Sequence, residues 1–298
     1  MKSGNWRKQE YNRCRLGITF MLCMMAFVMI LTGCQRTTSQ NDEPIQKELM
    51  ITVLSVGKAD AILIETADGV CLIDTGEAED GAYILQTLQE KGITELKLLM
   101  ITHYDKDHVG SAAELVSRIP VETILLPDYE GDRKEYRAFM EEIAEHPDVR
   151  MIREITDYSF GDVTMRIYPA ENMAELMDTD EEYDNDLSLV SKLTYGEMTF
   201  LLTGDIEKKR IHQMLDSEID LHCDWIKMPH HGQYQKAVKE LLEVSDPTFA
   251  VLTVSEEDPA DEKTLDYLTE QGILFYDTTK QDVVTYSDGT RIWMELGN

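Results

Sequence analysis

From residue 50 onward, short apolar runs alternate with stretches in which apolar residues recur at helical spacing. Residues 50–56, 61–66 and 70–73 are rich in Val, Ile and Leu and are punctuated by Gly57 and by Asp68-Gly69, which predicts a three-strand meander. Residues 82–91 have helical periodicity with Gly92 as a stop, and 96–101 form an apolar strand that ends directly at Thr102-His103. Helices are predicted over 112–118 and 133–145, and strands over 122–126, 151–154, 157–160 and 163–168. After an acidic, turn-like stretch at 177–186, strands 187–194 and 198–202 pair across Tyr195-Gly196-Glu197. A helix at 207–215, a strand at 224–228 and a further helix follow, then a strand at 249–254, a helix at 262–270 and closing strands. Strands in both halves, each interleaved with helices, predict an α/β domain of two facing mixed sheets between outer helix layers, an αββα sandwich. Asp74, His103, Asp205 and His230 all follow strands, which would gather them at one edge.

The first residues read differently. Lys2, Arg7, Lys8, Arg13 and Arg15 precede an uncharged apolar run at 16–31, which has the layout of a secretory signal. That run is shorter than the roughly 20 residues a membrane-spanning helix needs. It ends at Leu31-Thr32-Gly33-Cys34, which resembles the lipobox of bacterial lipoproteins. The expected organisation is a signal peptide over 1–33, acylation of Cys34, a polar tether over 34–48 and one domain over 49–298. The lipid would hold the domain at the extracytoplasmic face of the cell membrane. Cys71 and Cys223 fall within apolar strand patterns and imply no disulfide framework.

The chain carries 57 acidic against 28 basic residues, a formal charge of −29. Such a surface repels a nucleic-acid backbone and disfavours tight DNA binding unless metal ions or a local basic strip intervene. A monomer is expected.

Residues 102–110 (THYDKDHVG) place His103, Asp105, Asp107 and His108 within six positions on a strand-to-helix loop. Imidazole and carboxylate together suit zinc, manganese or iron. Taken singly, the later candidates have ordinary alternatives: Asp74 as a turn residue, Asp205 as a helix cap, His231 as a structural neighbour of His230. Taken together with the loop they describe a metal site.

At this point the chain resembles the metallo-β-lactamase superfamily and, within it, the soluble hydrolase domain of the ComEC competence proteins. The resemblance is carried by SVGKADA (55–61), LIDTG (72–76), the motif at 103–108 with Asp105 in place of a second histidine, NDLSLV (185–190), FLLTGDI (200–206) and KMPHHG (227–232). It implies two divalent ions, Mn or Zn. His103 and Asp105 would hold the first with help from the Asn185 region, Asp107, His108 and His230 the second, and Asp205 would bridge. Asp74 would orient ligands from behind, with Asn185, Asp186, Ser188 and His231 as further supporting or substrate-facing residues. Adjacent cations would make a bridging hydroxide available near neutral pH, with Asp107 and Asp205 as the catalytic carboxylates. The matched segments hold no histidine between His108 and Asp205, so Asn185 or Asp186 must substitute for a third ligand, and an oxygen-rich shell tilts the choice of ion towards manganese. Gln233 and the segment 258–261 depart from the family pattern, which alters the substrate side more than the metal side. The expected activity is hydrolysis of a phosphodiester, in nucleic acid or an envelope polymer; the alternatives are another ester or amide, or a non-catalytic envelope-binding lipoprotein.

Overall fold

The computed structural model describes residues 49–177 and 183–297. The expected signal peptide, the tether through residue 48 and Cys34 lie outside the described residues, as do 178–182 of the acidic stretch.

The chain runs β1 (Leu49–Val53), β2 (Ile62–Thr66), β3 (Gly69–Ile73), α1 (Gly81–Glu90), β4 (Leu96–Met100), α2 (Lys106–Val109), α3 (Ala112–Arg118), β5 (Val121–Pro127), α4 (Lys134–Glu142) and β6 (Val149–Ile152). It continues through β7 (Thr156–Phe160), β8 (Val163–Tyr168), α5 (Met173–Met177), β9 (Val190–Tyr195), β10 (Met198–Leu202), α6 (Lys208–Leu215), β11 (Trp225–Lys227), α7 (Lys236–Ser245), β12 (Phe249–Leu252), α8 (Glu262–Gln271), β13 (Leu274–Asp277), β14 (Val283–Ser287) and β15 (Ile292–Leu296). Two 3-10 turns, Asn185–Leu187 and Pro229–Gly232, lie beside the site described below.

One sheet has the order β15-β14-β1-β2-β3-β4-β5-β6 and the other β13-β12-β11-β10-β9-β8-β7. Both are mixed. β3 to β6 pair in parallel in the first, and β10 to β13 in the second.

Alternation along each strand divides the apolar side chains between layers. In β2, Ile62 and Ile64 face the space between the sheets, where they meet Leu98, Met100, Phe200 and Trp225, while Leu63 faces outward with Leu72 and Leu99 onto Ile84, Leu115 and Phe139. On the second sheet Leu201, Ile226 and Ala250 face outward onto Ile211, Leu241 and Leu268. Central strands buried on both faces read as continuous apolar runs, which is why 98–101 shows no alternation in its sequence. The expected αββα sandwich is what forms. The helices leave one part open: β7 and β8 alternate buried and exposed residues, and Asp157 and Arg166 pair on the solvent face.

Two boundaries differ from the sequence reading. The strand expected from residue 187 starts at Val190, because Asn185–Leu187 closes as a 3-10 turn held by an Asn185 carbonyl bond from the Ser188 amide. The metal loop contains the helical turn α2, with His108 and Val109 amides donating to the Asp105 carbonyl.

Candidate metal centre

Parallel pairing puts the C-terminal ends of β3 and β4 side by side, and likewise those of β10 and β11. Asp74 follows β3, Thr102 and His103 follow β4, Asp205 follows β10, and Lys227 ends β11. The loops after β1, after β3 and at α2 are then laced by backbone bonds: Asp60 N donates to Asp107 O (3.1 Å), Thr75 N to His108 O (2.7 Å) and Gly110 N to Gly76 O (3.0 Å). Carboxylates and imidazoles distant in sequence are thereby fixed at one rim of the sandwich.

Asp74 is buried and left-handed, with φ 58°. Its Oδ1 accepts the Thr102 N–H at 2.7 Å, and its Oδ2 accepts the Thr102 hydroxyl at 2.7 Å and stands 2.8 Å from Nδ1 of His108. Holding Nδ1 in this way directs the opposite nitrogen, Nε2, into the site. His103 Nδ1 is similarly placed between Thr102 Oγ1 (3.1 Å) and Ser188 Oγ (3.3 Å), and the same Ser188 hydroxyl accepts the Asp205 N–H. His231 turns Nδ1 to Thr253 Oγ1 at 2.8 Å. Each of these three histidines is thus anchored by one nitrogen and presents the other.

Those presented nitrogens, Nε2 of His103, His108 and His231, are buried and form no hydrogen bond among the described residues. Carboxylate oxygens nevertheless stand close. Asp205 Oδ2 is 3.3 Å from His108 Nε2 and 3.0 Å from His231 Nε2, and Asp107 Oδ2 is 3.4 Å from His231 Nε2. Two donors each about 2.1 Å from one tetrahedrally coordinated ion lie roughly 3.4 Å apart. The group Asp107, His108, Asp205 and His231 therefore has the spacing and donor chemistry of a divalent-metal site. His103 Nε2 and Asp105 Oδ2, 3.8 Å apart, offer a second, more open pair.

The electrostatics agree. Burial alone would lower His108 and His231, but Asp205 with Asp74 holds the first well above its ordinary value, and Asp205 with Asp107 raises the second. Burial, aided by the neighbouring His108, pushes His103 well below its ordinary value. Burial would raise Asp205 and Asp107, yet the adjoining cations hold both below the usual carboxylate range.

Two groups in the centre were not singled out from the sequence. Lys227 is completely buried, and its Nζ lies 2.5 Å from Asp60 Oδ2, 3.0 Å from Asp205 Oδ1 and 3.1 Å from Gly204 O. Asp205 consequently has one oxygen held by an ammonium and the other aimed at the histidines. Asp60 also places Oδ1 3.6 Å from His231 Nδ1. The available signal was a lysine closing the apolar run Trp225-Ile226, which stays buried only if paired. Arg133 is the third omission: its Nε and Nη2 donate to Asp105 Oδ1 at 3.2 and 3.0 Å.

Several expected residues sit elsewhere. His230, expected as the ligand with His231 as its neighbour, exchanges places with it: His230 Nδ1 lies 2.8 Å from Glu207 Oε1, while His231 faces Asp107 and Asp205. Both are left-handed, at φ 44° and 54°, inside the turn Pro229–Gly232, and this double reversal sends consecutive side chains in different directions. Asn185 does not join the four-donor group; its Nδ2 donates to Glu207 Oε1 at 3.4 Å. Asp186 Oδ1 accepts the amides of Glu207 and Arg210 and so caps α6 instead of facing a metal.

A model described as the metallo-beta-lactamase superfamily matches residues 54–253. The chain is 22% identical over 295 residues to ComE operon protein 3 of Bacillus subtilis, covering 91% of this chain and 36% of that protein. It is 25% identical over 246 residues to Recombination protein 2 of Haemophilus influenzae, covering 81% and 27%. To Competence protein ComA of Neisseria gonorrhoeae it is 27% identical over 211 residues, covering 69% and 27%. The chain thus spans about a third of the length of these relatives. Among solved structures, CmlA, titled a diiron beta-hydroxylase from Streptomyces venezuelae, superposes with a TM-score of 0.53 at 13% identity over 81% of this chain and 54% of that one, a likeness of fold alone. The matched span holds Asp60, Asp74, the loop at 103–108, Asp205, Lys227 and His231, and with that whole constellation the chain belongs to the metallo-beta-lactamase superfamily and resembles its ComEC competence members.

Proposed function

We propose that this domain is a metal-dependent hydrolase of phosphodiesters, anchored through lipid at Cys34 to the extracytoplasmic face of the membrane. The observation that carries the catalytic part is the group Asp107, His108, Asp205 and His231, whose facing donors are 3.0 to 3.4 Å apart with their imidazole nitrogens otherwise unbonded. Relatives named for competence and recombination favour a phosphodiester over other esters. Divalent ions bound here supply Lewis-acid activation of water and neutralise charge developing on the substrate.

The protein's own groups set that chemistry up. Asp74 keeps His108 facing inward, Ser188 and Thr102 do the same for His103, and Lys227 restricts Asp205 to one inward oxygen. Asp107 is held as an anion by His231 and His108 against the effect of burial.

The test is hydrolysis of bis-p-nitrophenyl phosphate by the domain from Gln35 onward, stripped of metal and then given manganese or zinc. An Asp107→Ala, His108→Ala double variant serves as control. Metal-dependent turnover that the control lacks supports the reading. Stoichiometric metal binding without turnover would redirect it to another ester or amide, and no metal binding would leave a binding lipoprotein.

A further inference from the structure

Beside the metal centre, on the His231 side, lies a cavity of about 110 Å³ whose walls include Lys58, His230, His231, Gln233, Asp258 and Asp261. The basic residues around the centre are otherwise matched: Arg133 with Asp105, Lys106 with Glu77, Lys227 with Asp60 and Asp205. Lys58 is different. It is half-buried and has no ion-pair or hydrogen-bond partner among the described residues, although acids lie in the same cavity. Asp261 Oδ2 is engaged by the Tyr234 N–H at 2.7 Å, and Asp258 is exposed in a turn closed on Ser255. In a chain with twice as many acids as bases, an ammonium two residues from Asp60 with no partner among the described residues is available to an anion.

We propose that this cavity is the anion subsite of the substrate. Lys58 donates to a non-bridging phosphate oxygen of a phosphodiester lying over the metal centre, and the exposed acids Asp258 and Asp261 limit the group beyond it to a short, uncharged or cationic substituent. The volume is compatible with this: about 110 Å³ leaves room for a group of phosphoryl size. A polyanion continuing past His230 would run into the two carboxylates, which selects a small phosphodiester over a polynucleotide. The inference rests on the hydrolase reading for the identity of the bond cleaved, but the subsite itself is tested by binding.

The experiment measures the affinity of inorganic phosphate for the zinc-loaded domain by calorimetry, comparing the unaltered protein with Lys58→Gln and Lys58→Arg, with bound zinc counted in each. Loss of one charge-assisted hydrogen bond at a half-exposed position predicts about tenfold weaker phosphate binding in Lys58→Gln. Lys58→Arg should recover most of it, with zinc content equal throughout. In turnover of bis-p-nitrophenyl phosphate, the Lys58→Gln loss should appear in KM, while p-nitrophenyl acetate, which carries no anion, should respond alike in both. Asp258→Asn should improve a dinucleotide relative to bis-p-nitrophenyl phosphate. Unchanged phosphate affinity in Lys58→Gln overturns the subsite even if phosphodiester turnover is strong, and so does loss of zinc, which would make Lys58 a support of the centre. Lysine-dependent phosphate binding without phosphodiester turnover upholds the subsite and overturns the hydrolase reading alone.

Discussion

Replacing His231 or His230 by alanine, one at a time, gives the sharpest contrast this geometry offers. His231 supplies one of four donors, with Nε2 3.0 Å from Asp205 Oδ2 and 3.4 Å from Asp107 Oδ2. Removing a partner that merely orients a ligand costs about 10- to 100-fold in metal affinity, so removing the donor itself should cost at least about 100-fold, or ~2.8 kcal/mol at 1.4 kcal/mol per tenfold. His230 loses only a pair with Glu207 in which the side chains are 20% and 28% exposed. That partly buried pair contributes about 1 kcal/mol to stability, and its loss removes no donor from the centre. Alanine keeps a Cβ at both left-handed positions, so the backbone strain is common to the two variants and cancels in their comparison. The assay is competition for zinc against a chromophoric chelator, with thermal unfolding of the metal-free proteins as a control for folding. His231→Ala should lose affinity by two orders of magnitude while His230→Ala stays within about twofold. Loss of zinc in His230→Ala with retention in His231→Ala would refute the placement of these two side chains.

Three further outcomes follow from the same centre. Lys227→Met leaves Asp60 and Asp205 buried without their ammonium and should destabilise the metal-free domain by about 3–5 kcal/mol in denaturant unfolding, less once metal is bound. Gly110→Ala would bring a Cβ to 2.3 Å from the Lys106 carbonyl oxygen and 2.5 Å from that of Gly76, backbone atoms with no freedom to retreat, so the variant should lose zinc binding or fail to fold, as read by circular dichroism and zinc content. Metal affinity should weaken as pH falls: His108 and His231 hold protons above their ordinary values in the metal-free protein, so binding must release them, and the calorimetric enthalpy should vary with the ionisation enthalpy of the buffer.

The layer order and the rim were legible in the sequence because they rest on short-range signals. Apolar runs ended by turn residues marked β3, β4, β10 and β11, and chemistry-bearing residues at those four strand ends implied convergence before any contact was known. Direction within a turn was not legible. His230 and His231 are adjacent, and only the two positive φ angles decide which of them reaches Asp205. The partner of Asp60 was equally hidden, since Lys227 lies in another sheet and its ammonium meets Asp60 only once both sheets are in place. The family resemblance implied a place near the metals for Asn185 and Asp186, but their closeness to α6 gave them nearer partners in Glu207 and the first-turn amides.

The Lys227 ammonium has a consequence for the order in which the finished protein is assembled. A domain whose buried acids depend wholly on a metal for balance folds only when metal arrives, so folding and metallation become one event. Here a built-in cation already sits against Asp60 and Asp205, and the rim can form with its imidazoles in position before any ion enters. Loading is then a late step on a completed scaffold, and the ion taken up is decided by what surrounds that scaffold at the time.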